Sequence, residues 1–203
     1  MLNAETPRLK FALYGAHSSL GNALLCELLS RQHEAVTLVN DLNSMTVRPG
    51  LRAKTGDLFD AISVSQSVAG MDAVICLYDS PSLATASGGA AAGQPHELYQ
   101  AVDALLSGLP KVGVERLVLV ADLSAKRDDP GVAAALQRVA VNSLKWTVVD
   151  AEADGDDLSI EDFSVIDDLD PSDRRVQLRR IAAGIVDELE TPQHLHEQIH
   201  FRI

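Results

Sequence analysis

Cysteine is scarce: the chain of 203 residues has two, Cys26 and Cys76. Both stand in apolar stretches without metal-ligand spacing, so neither a disulfide framework nor a cysteine-ligated metal is expected. Reduced thiols buried in a cytoplasmic protein are the simplest reading. Positive charge is short as well, with 17 Lys and Arg against 29 Asp and Glu and a formal net charge of −12. Nucleic acid and anionic membrane surfaces both demand surplus cations, so neither is an expected partner. No apolar run approaches the roughly 20 residues of a spanning helix. Residues 1–10 are polar and carry no apolar signal core, so no secretory leader is expected. Hydrophobic residues nevertheless make up 46% of the chain, close to the globular average, which excludes wholesale disorder.

The apolar residues are arranged in alternation. Lys10–Tyr14 is a short apolar run that stops at Gly15; Leu20, Ala23, Leu24 and Leu28 then recur at helical spacing, and Ala35–Val39 is apolar again. Strand, glycine turn, helix and strand make one βαβ unit. The pattern continues with strands at Leu51–Thr55, Ala73–Leu77, Leu117–Ala121 and Trp146–Val149. Helices are expected at Ala61–Val68, Leu98–Leu109 and Val132–Leu144, and a last long one from a Ser172 cap through Leu178, Ile181, Ile185 and Leu189. The small-residue, Gly-rich segment 80–97 reads as a mobile loop. Unbroken apolar strands alternating with helices predict an α/β fold, a Rossmann-like doubly wound parallel sheet covered on both faces. We expect one domain over residues 8–203, preceded by a tail of residues 1–7. Ligands of such sheets bind beyond the strand C-termini, which directs the search to the turns at Gly15, Asn40, Gly56, Tyr78 and Asp122.

The first of these turns reads Gly15-Ala16-His17-Ser18-Ser19-Leu20-Gly21. In dinucleotide folds the first glycine makes the tight turn, the middle one admits the pyrophosphate, and the last lets helix and sheet meet. Here the outer two are present and Ser18 stands in the middle, leaving a tight ligand-free βα turn as the other reading. The stretch KFALYGAHSSLGNALLCELLSRQHEAVTLVND resembles the opening of the atypical short-chain dehydrogenase/reductase proteins. More narrowly it is similar to their NAD(P)H-binding group, which includes NADH–flavin reductase-like, biliverdin reductase B-like and NmrA-like proteins. GDLFDAISVSQSVAGMDAVICLYD, GVERLVLVADLSA, LKWTVVD and IAAGIVDELETPQHLHEQIHFRI resemble the group's later segments in order, nearly to the end of the chain.

The resemblance implies NAD or NADP as a small-molecule dinucleotide ligand. Its site would comprise Gly15, His17, Ser18, Ser19, Leu20 and Gly21 at the phosphates, Asn40 and Asp41 at the ribose, Asp57 and Leu58 at the adenine, and Leu77 and Tyr78 beside the cofactor after the fourth strand. An acid about 20 residues past the turn favours the diol of NAD, whereas Arg48 on the following loop offers a cation for the 2′-phosphate of NADP. Asp57 has a second reading, as a helix N-cap. His17 stands for the group's usual Thr, Leu77-Tyr78-Asp79 is bulkier than its usual small residues, and Asp150-Ala151 replaces its Arg-Pro. The stretch before Trp146 is shorter than in flavin-reductase-like members.

Catalytic machinery of the Tyr-x-x-x-Lys kind is missing, since Tyr14, Tyr78 and Tyr99 have no Lys four residues on. No catalytic side chain is therefore named. Flavin-reductase-like relatives need none, because a flavin accepts hydride largely by being positioned. Tyr78 and Ser124 either line an acceptor pocket or are ordinary strand-end residues. Two functions follow: an NAD(P)H-dependent oxidoreductase acting on a flavin or similar planar acceptor, or a non-catalytic NmrA-like dinucleotide sensor or scaffold. The latter would work through a homodimer or a protein partner. Two motifs are set aside. His196-Glu197-Gln198-Ile199-His200 spells a zinc signature, yet its alternation with Leu195, Phe201 and Ile203 means a strand rather than the helix zinc requires. Asp150, Glu152, Asp154, Gly155 and Glu161 mimic a calcium loop, but Asp157 takes its aliphatic position and a strand precedes it. The region 146–173 holds eleven acids and no base, which reads as a solvated loop.

Overall fold

Seven strands form one sheet in the computed structural model, which describes residues 8–44, 48–80, 83, 97–152, 157–164 and 170–201. In chain order the elements are β1 (Lys10–Tyr14), α1 (Ser19–Ser30), β2 (Glu34–Val39), β3 (Leu51–Thr55), α2 (Ala61–Val68) and β4 (Ala73–Leu77). They continue with α3 (Leu98–Gly108), β5 (Arg116–Ala121), α4 (Pro130–Ala140), β6 (Lys145–Asp150), α5 (Arg174–Glu190) and β7 (Glu197–His200). The strand order is β3-β2-β1-β4-β5-β6-β7 and every pairing is parallel. This is the Rossmann-like doubly wound α/β architecture, with its switch point between β1 and β4.

Side chains alternate across the pleat, so each strand feeds two cores. Phe11 and Leu13 of β1 pack with α1 and α5, whereas Ala12 and Tyr14 face α2 and α3. Both sets are buried, which is why β1, β4 and β5 read as continuous apolar runs. The stripe predicted for the last helix is real: Leu178, Ile181, Ile185 and Leu189 are buried against Leu20, Leu24 and Leu28 of α1. Each such side chain contributes about 1.5–3 kcal/mol of transfer free energy.

Several boundaries differ from expectation for identifiable reasons. The cap of α5 is Asp173, whose carboxylate accepts the Arg175 N–H at 2.8 Å. Ser172 instead donates its hydroxyl to Asp170 at 2.6 Å. Helix α4 starts early because Asp129 caps it and Pro130 occupies its first turn. It ends at Ala140, and Asn142 Oδ1 accepts the N–H of Leu144 to turn the chain into β6. The terminal strand is limited to Glu197–His200. Of the Gly-rich segment, residues 81–82 and 84–96 lie outside the described residues.

Candidate functional site

The turn between β1 and α1 follows from two close approaches. Gly15 has φ +83°, and a Cβ there would lie 2.4 Å from the carbonyl oxygen of Leu77. A Cβ on Gly21 would lie 2.6 Å from the carbonyl oxygen of Gly15. Both glycines are thus required by packing as well as by any ligand. Ser18 is the N-cap of α1: its Oγ accepts the Gly21 N–H at 3.0 Å and donates to the Gly15 carbonyl at 3.0 Å. The Asn22 N–H goes to the Ser18 carbonyl. Of the four amides that open the helix, those of Ser19 and Leu20 meet no acceptor among the described residues. His17, half-buried, meets Ser44 through Nε2 at 3.0 Å, while Ser18, Ser19 and Leu20 are buried.

Ser19 is held from above. Its hydroxyl donates to Asp157 Oδ1 at 3.1 Å, and Asn22 donates to the Leu158 carbonyl at 2.8 Å. Asp157 also accepts from Arg174 at 2.9 Å. The Arg174 guanidinium, with a backbone N–H and Ser19, keeps this carboxyl below the usual carboxylate range. It is therefore charged at neutral pH, beside the positive end of α1.

A cavity of about 850 Å³ opens at the ends of β2 and β3, lined by Asn40, Lys54, Gly56, Asp57 and Gln66 among others. Two of the expected ribose and adenine residues, Asn40 and Asp57, meet there. The cap of α2 is Asp60, which accepts from Ile62 and Ser63. Asp57 closes a smaller turn onto the Phe59 N–H at 2.9 Å. Leu58 is packed in the core and is not among the lining residues. Asp41 turns back on its own loop, accepting from Asn43 N–H at 2.9 Å. Arg48 pairs with Glu161, so the cation expected near a 2′-phosphate is engaged elsewhere.

At the ends of β4 and β5, Leu77 is fully buried and Tyr78 is half-buried. Lys126 Nζ lies 5.4 Å from the centroid of the Tyr78 ring and pairs with Asp79, whose other oxygen accepts the Asp122 N–H at 2.7 Å. Burial, with smaller contributions from Cys76, Glu97 and Asp129, pushes the Tyr78 phenol up to about 12. Burial also lowers the Lys126 ammonium, partly offset by Asp129. A lysine over the ring with a raised phenol pKa is the reverse of a Tyr–Lys proton-transfer pair.

The model of a family described as NAD(P)H-binding matches residues 15–192. This chain belongs to that family. No curated protein matched it in sequence. Solved structures similar in fold include a Rossmann-fold NAD(P)-binding family protein from Shigella flexneri, 15% identical, with TM-score 0.66 over 96% of this chain and 93% of the other. Another is an anaerobillin reductase from Escherichia coli O157:H7, 14% identical, with TM-score 0.63 over 94% and 95%. A protein provisionally named NADH-flavin reductase, from Streptococcus pneumoniae TIGR4, is 20% identical, with TM-score 0.59 over 95% and 98%. A nicotinamide dinucleotide is thus the ligand that membership in the NAD(P)H-binding family implies.

The two motifs set aside have other occupations in this NAD(P)H-binding chain. His196 donates its Nε2–H to the Leu144 carbonyl at 2.9 Å, and His200 bonds Asp150 at 2.9 Å. Of the calcium-like loop, Asp154 and Gly155 lie outside the described residues. Among the described residues no group of three or more His, Cys, Asp or Glu is placed to hold a metal ion. No described helix is long and apolar enough to cross a membrane. Sequence reasoning missed the meeting of Ser124, Asp150 and His200 at the ends of β5, β6 and β7. The signal was available in principle, since Asp150 directly follows one expected strand and His200 lies near the end of the next.

Proposed function

We propose that the chain is a reductase that uses NADH or NADPH to reduce a flavin or a similar planar acceptor. One observation carries the reading: among the described residues the N–H groups of Ser19 and Leu20 open α1 without acceptors of their own, on the same sheet edge as the cavity at Asn40 and Asp57. When bound, the dihydronicotinamide supplies the hydride. Ser19 and Leu20 hold the diphosphate through their amides. Asn40 and Asp57 border the adenosine, and Gly15 keeps the turn close to β4. Tyr78, protonated at working pH, contributes a ring face beside the reacting end. A cytoplasmic setting accords with this reading, since Cys26 and Cys76 are both unbridged.

Calorimetric titration with NADH and NADPH, followed by anaerobic mixing with FMN, tests the proposal. Binding followed by coenzyme oxidation supports it, and failure to bind either coenzyme overturns it. A second reading, a dinucleotide sensor without turnover, is favoured by one observation. The Ser18 hydroxyl already occupies the Gly21 N–H, and Asp157 brings negative charge to Ser19. Tight binding without oxidation in the presence of FMN selects that reading.

A further inference from the structure

Parallel pairing of β6 with β7 sets Asp150 directly beside His200 at the C-terminal edge of the sheet. The two lie on a cavity of about 490 Å³ that Asp122, Ser124, Arg127, Glu152 and Phe201 also line. Asp150 is buried and accepts four hydrogen bonds: from the N–H groups of Leu123 at 2.8 Å and Ser124 at 3.1 Å, from Ser124 Oγ at 2.6 Å, and from His200 Nδ1 at 2.9 Å. Burial by itself raises the pKa of this carboxyl. The Ser124 hydroxyl, His200 and the two amides more than offset it, so the group stays below its ordinary range. An ionised carboxylate must receive a proton from Nδ1, which fixes the imidazole tautomer and leaves Nε2 as the exchangeable position. His200 remains 55% exposed at its side chain, so Nε2 is reachable from the cavity and from water.

The place matters as much as the pair. A dinucleotide crosses a doubly wound sheet at the switch point, here between β1 and β4, and its adenosine end belongs with β2 and β3. The ends of β5, β6 and β7 therefore lie on the nicotinamide half, where an acceptor must sit.

We propose that His200 is the proton donor of the reduction and that Asp150 is its positioning residue, in an acceptor site between the ends of β5 and β7. The proposal rests on the reductase reading above. Reduction of a planar conjugated acceptor takes a hydride and a proton. As the hydride arrives from the reduced nicotinamide, which leaves oxidised, the Nε2–H bond of His200 breaks and an N–H or O–H bond forms on the acceptor. The imidazole, now neutral, regains its proton from water. Asp150 accepts the Nδ1 proton and keeps the ring aimed. Among the described residues, the other charged groups on the cavity are Asp122 and Arg127 from the segment after β5 and Glu152 from the segment after β6.

The experiment uses FMN as the acceptor probe and the full chain. In long-range proton–nitrogen NMR, His200 carries its neutral-state proton on Nδ1, and FMN shifts the His200 and Phe201 signals. His200→Gln keeps a donor toward Asp150 and leaves coenzyme affinity by calorimetry unchanged. It is expected to slow FMN reduction by about 100-fold and to remove any dependence of the rate on protonation of residue 200. Asp150→Asn lets the His200 tautomer mix. Coenzyme binding with unmoved His200 signals, or an unaltered pH profile in His200→Gln, overturns this proposal and spares the reductase reading. Absence of coenzyme binding overturns both.

Discussion

The hydroxyl of Ser18 lies 3.0 Å from the amide nitrogen of Gly21, so the residue that replaces the middle glycine has become the cap of its own helix. The same oxygen cannot satisfy that amide and leave it open to phosphate. Ser18→Gly is therefore expected to tighten coenzyme binding by about 2- to 10-fold, the range of one hydrogen bond of roughly 0.5–1.5 kcal/mol. It should also cost a few tenths of a kcal/mol of stability through the lost cap. Calorimetry and urea denaturation on the same variant read both effects, and unchanged affinity would remove Ser18 from the phosphate site.

Gly15 and Gly70 separate conformation from packing. Both have positive φ, +83° and +78°, but an added Cβ meets the Leu77 carbonyl at 2.4 Å in the first and nothing within 4 Å in the second. Gly70→Ala should lose only the left-handed penalty, about 1–2 kcal/mol. Gly15→Ala should lose more than this, because the clash is with backbone and β4 must shift. Urea midpoints of the two variants make the comparison, and equal losses would contradict the close approach of the turn to β4.

Much of the fold was legible because it is written in local periods. β3, α2 and β4 lie where apolar spacing put them, since each buries a short, uninterrupted pattern. The doubly wound sheet followed from alternation alone. Caps were less legible: Ser172 and Asp173 are adjacent and both suited to capping, and the choice fell to Asp173 because its carboxylate also pairs with Arg175. Within the candidate site, Asn40 and Asp57 could be located from the ends of their strands. Arg48, by contrast, is turned to Glu161, 113 residues away, which no local pattern encodes. The meeting of Asp150 with His200 depends on the register of two strands separated by a whole helix. Such a relationship is fixed by tertiary packing, and the alternation of the last strand indicated only that His200 faces away from Ile199.

Asp157 brings its charge to the end of α1 that an anionic coenzyme needs. Asp157→Asn keeps a hydrogen-bonding partner for Ser19 and removes the negative charge. Coenzyme affinity is expected to rise a few-fold at low ionic strength, and the gain should shrink as the Debye length falls from about 10 Å at 0.1 M salt to about 3 Å at 1 M. A salt-independent change would mean that the effect is steric. Affinities measured by calorimetry across that range decide between the two.

Arg116 and Glu188 form the buried ion pair that ties β5 to α5, at 3.2 Å with side chains 8% and 4% exposed. Glu188 also accepts the N–H groups of Gln193 and His194, each at 3.0 Å, where the chain turns into β7. Burial alone would raise the Glu188 pKa. The His194 and Gln193 amides, the His194 ring and the Arg116 charge outweigh it and leave the carboxyl below its ordinary value. A folded-state pKa below the unfolded one contributes stability that is present above the unfolded value, about 4.3 for Glu, and is lost as pH falls through the folded value. Glu188→Gln strands the Arg116 cation, so a loss of about 3–5 kcal/mol is expected near neutral pH. The variant should also lose less stability than the wild-type protein on acidification, because one of the groups that titrates on unfolding is gone. Urea denaturation at a series of pH values measures both quantities, and parallel stability curves for the two proteins would show that Glu188 titrates alike in the folded and unfolded chains.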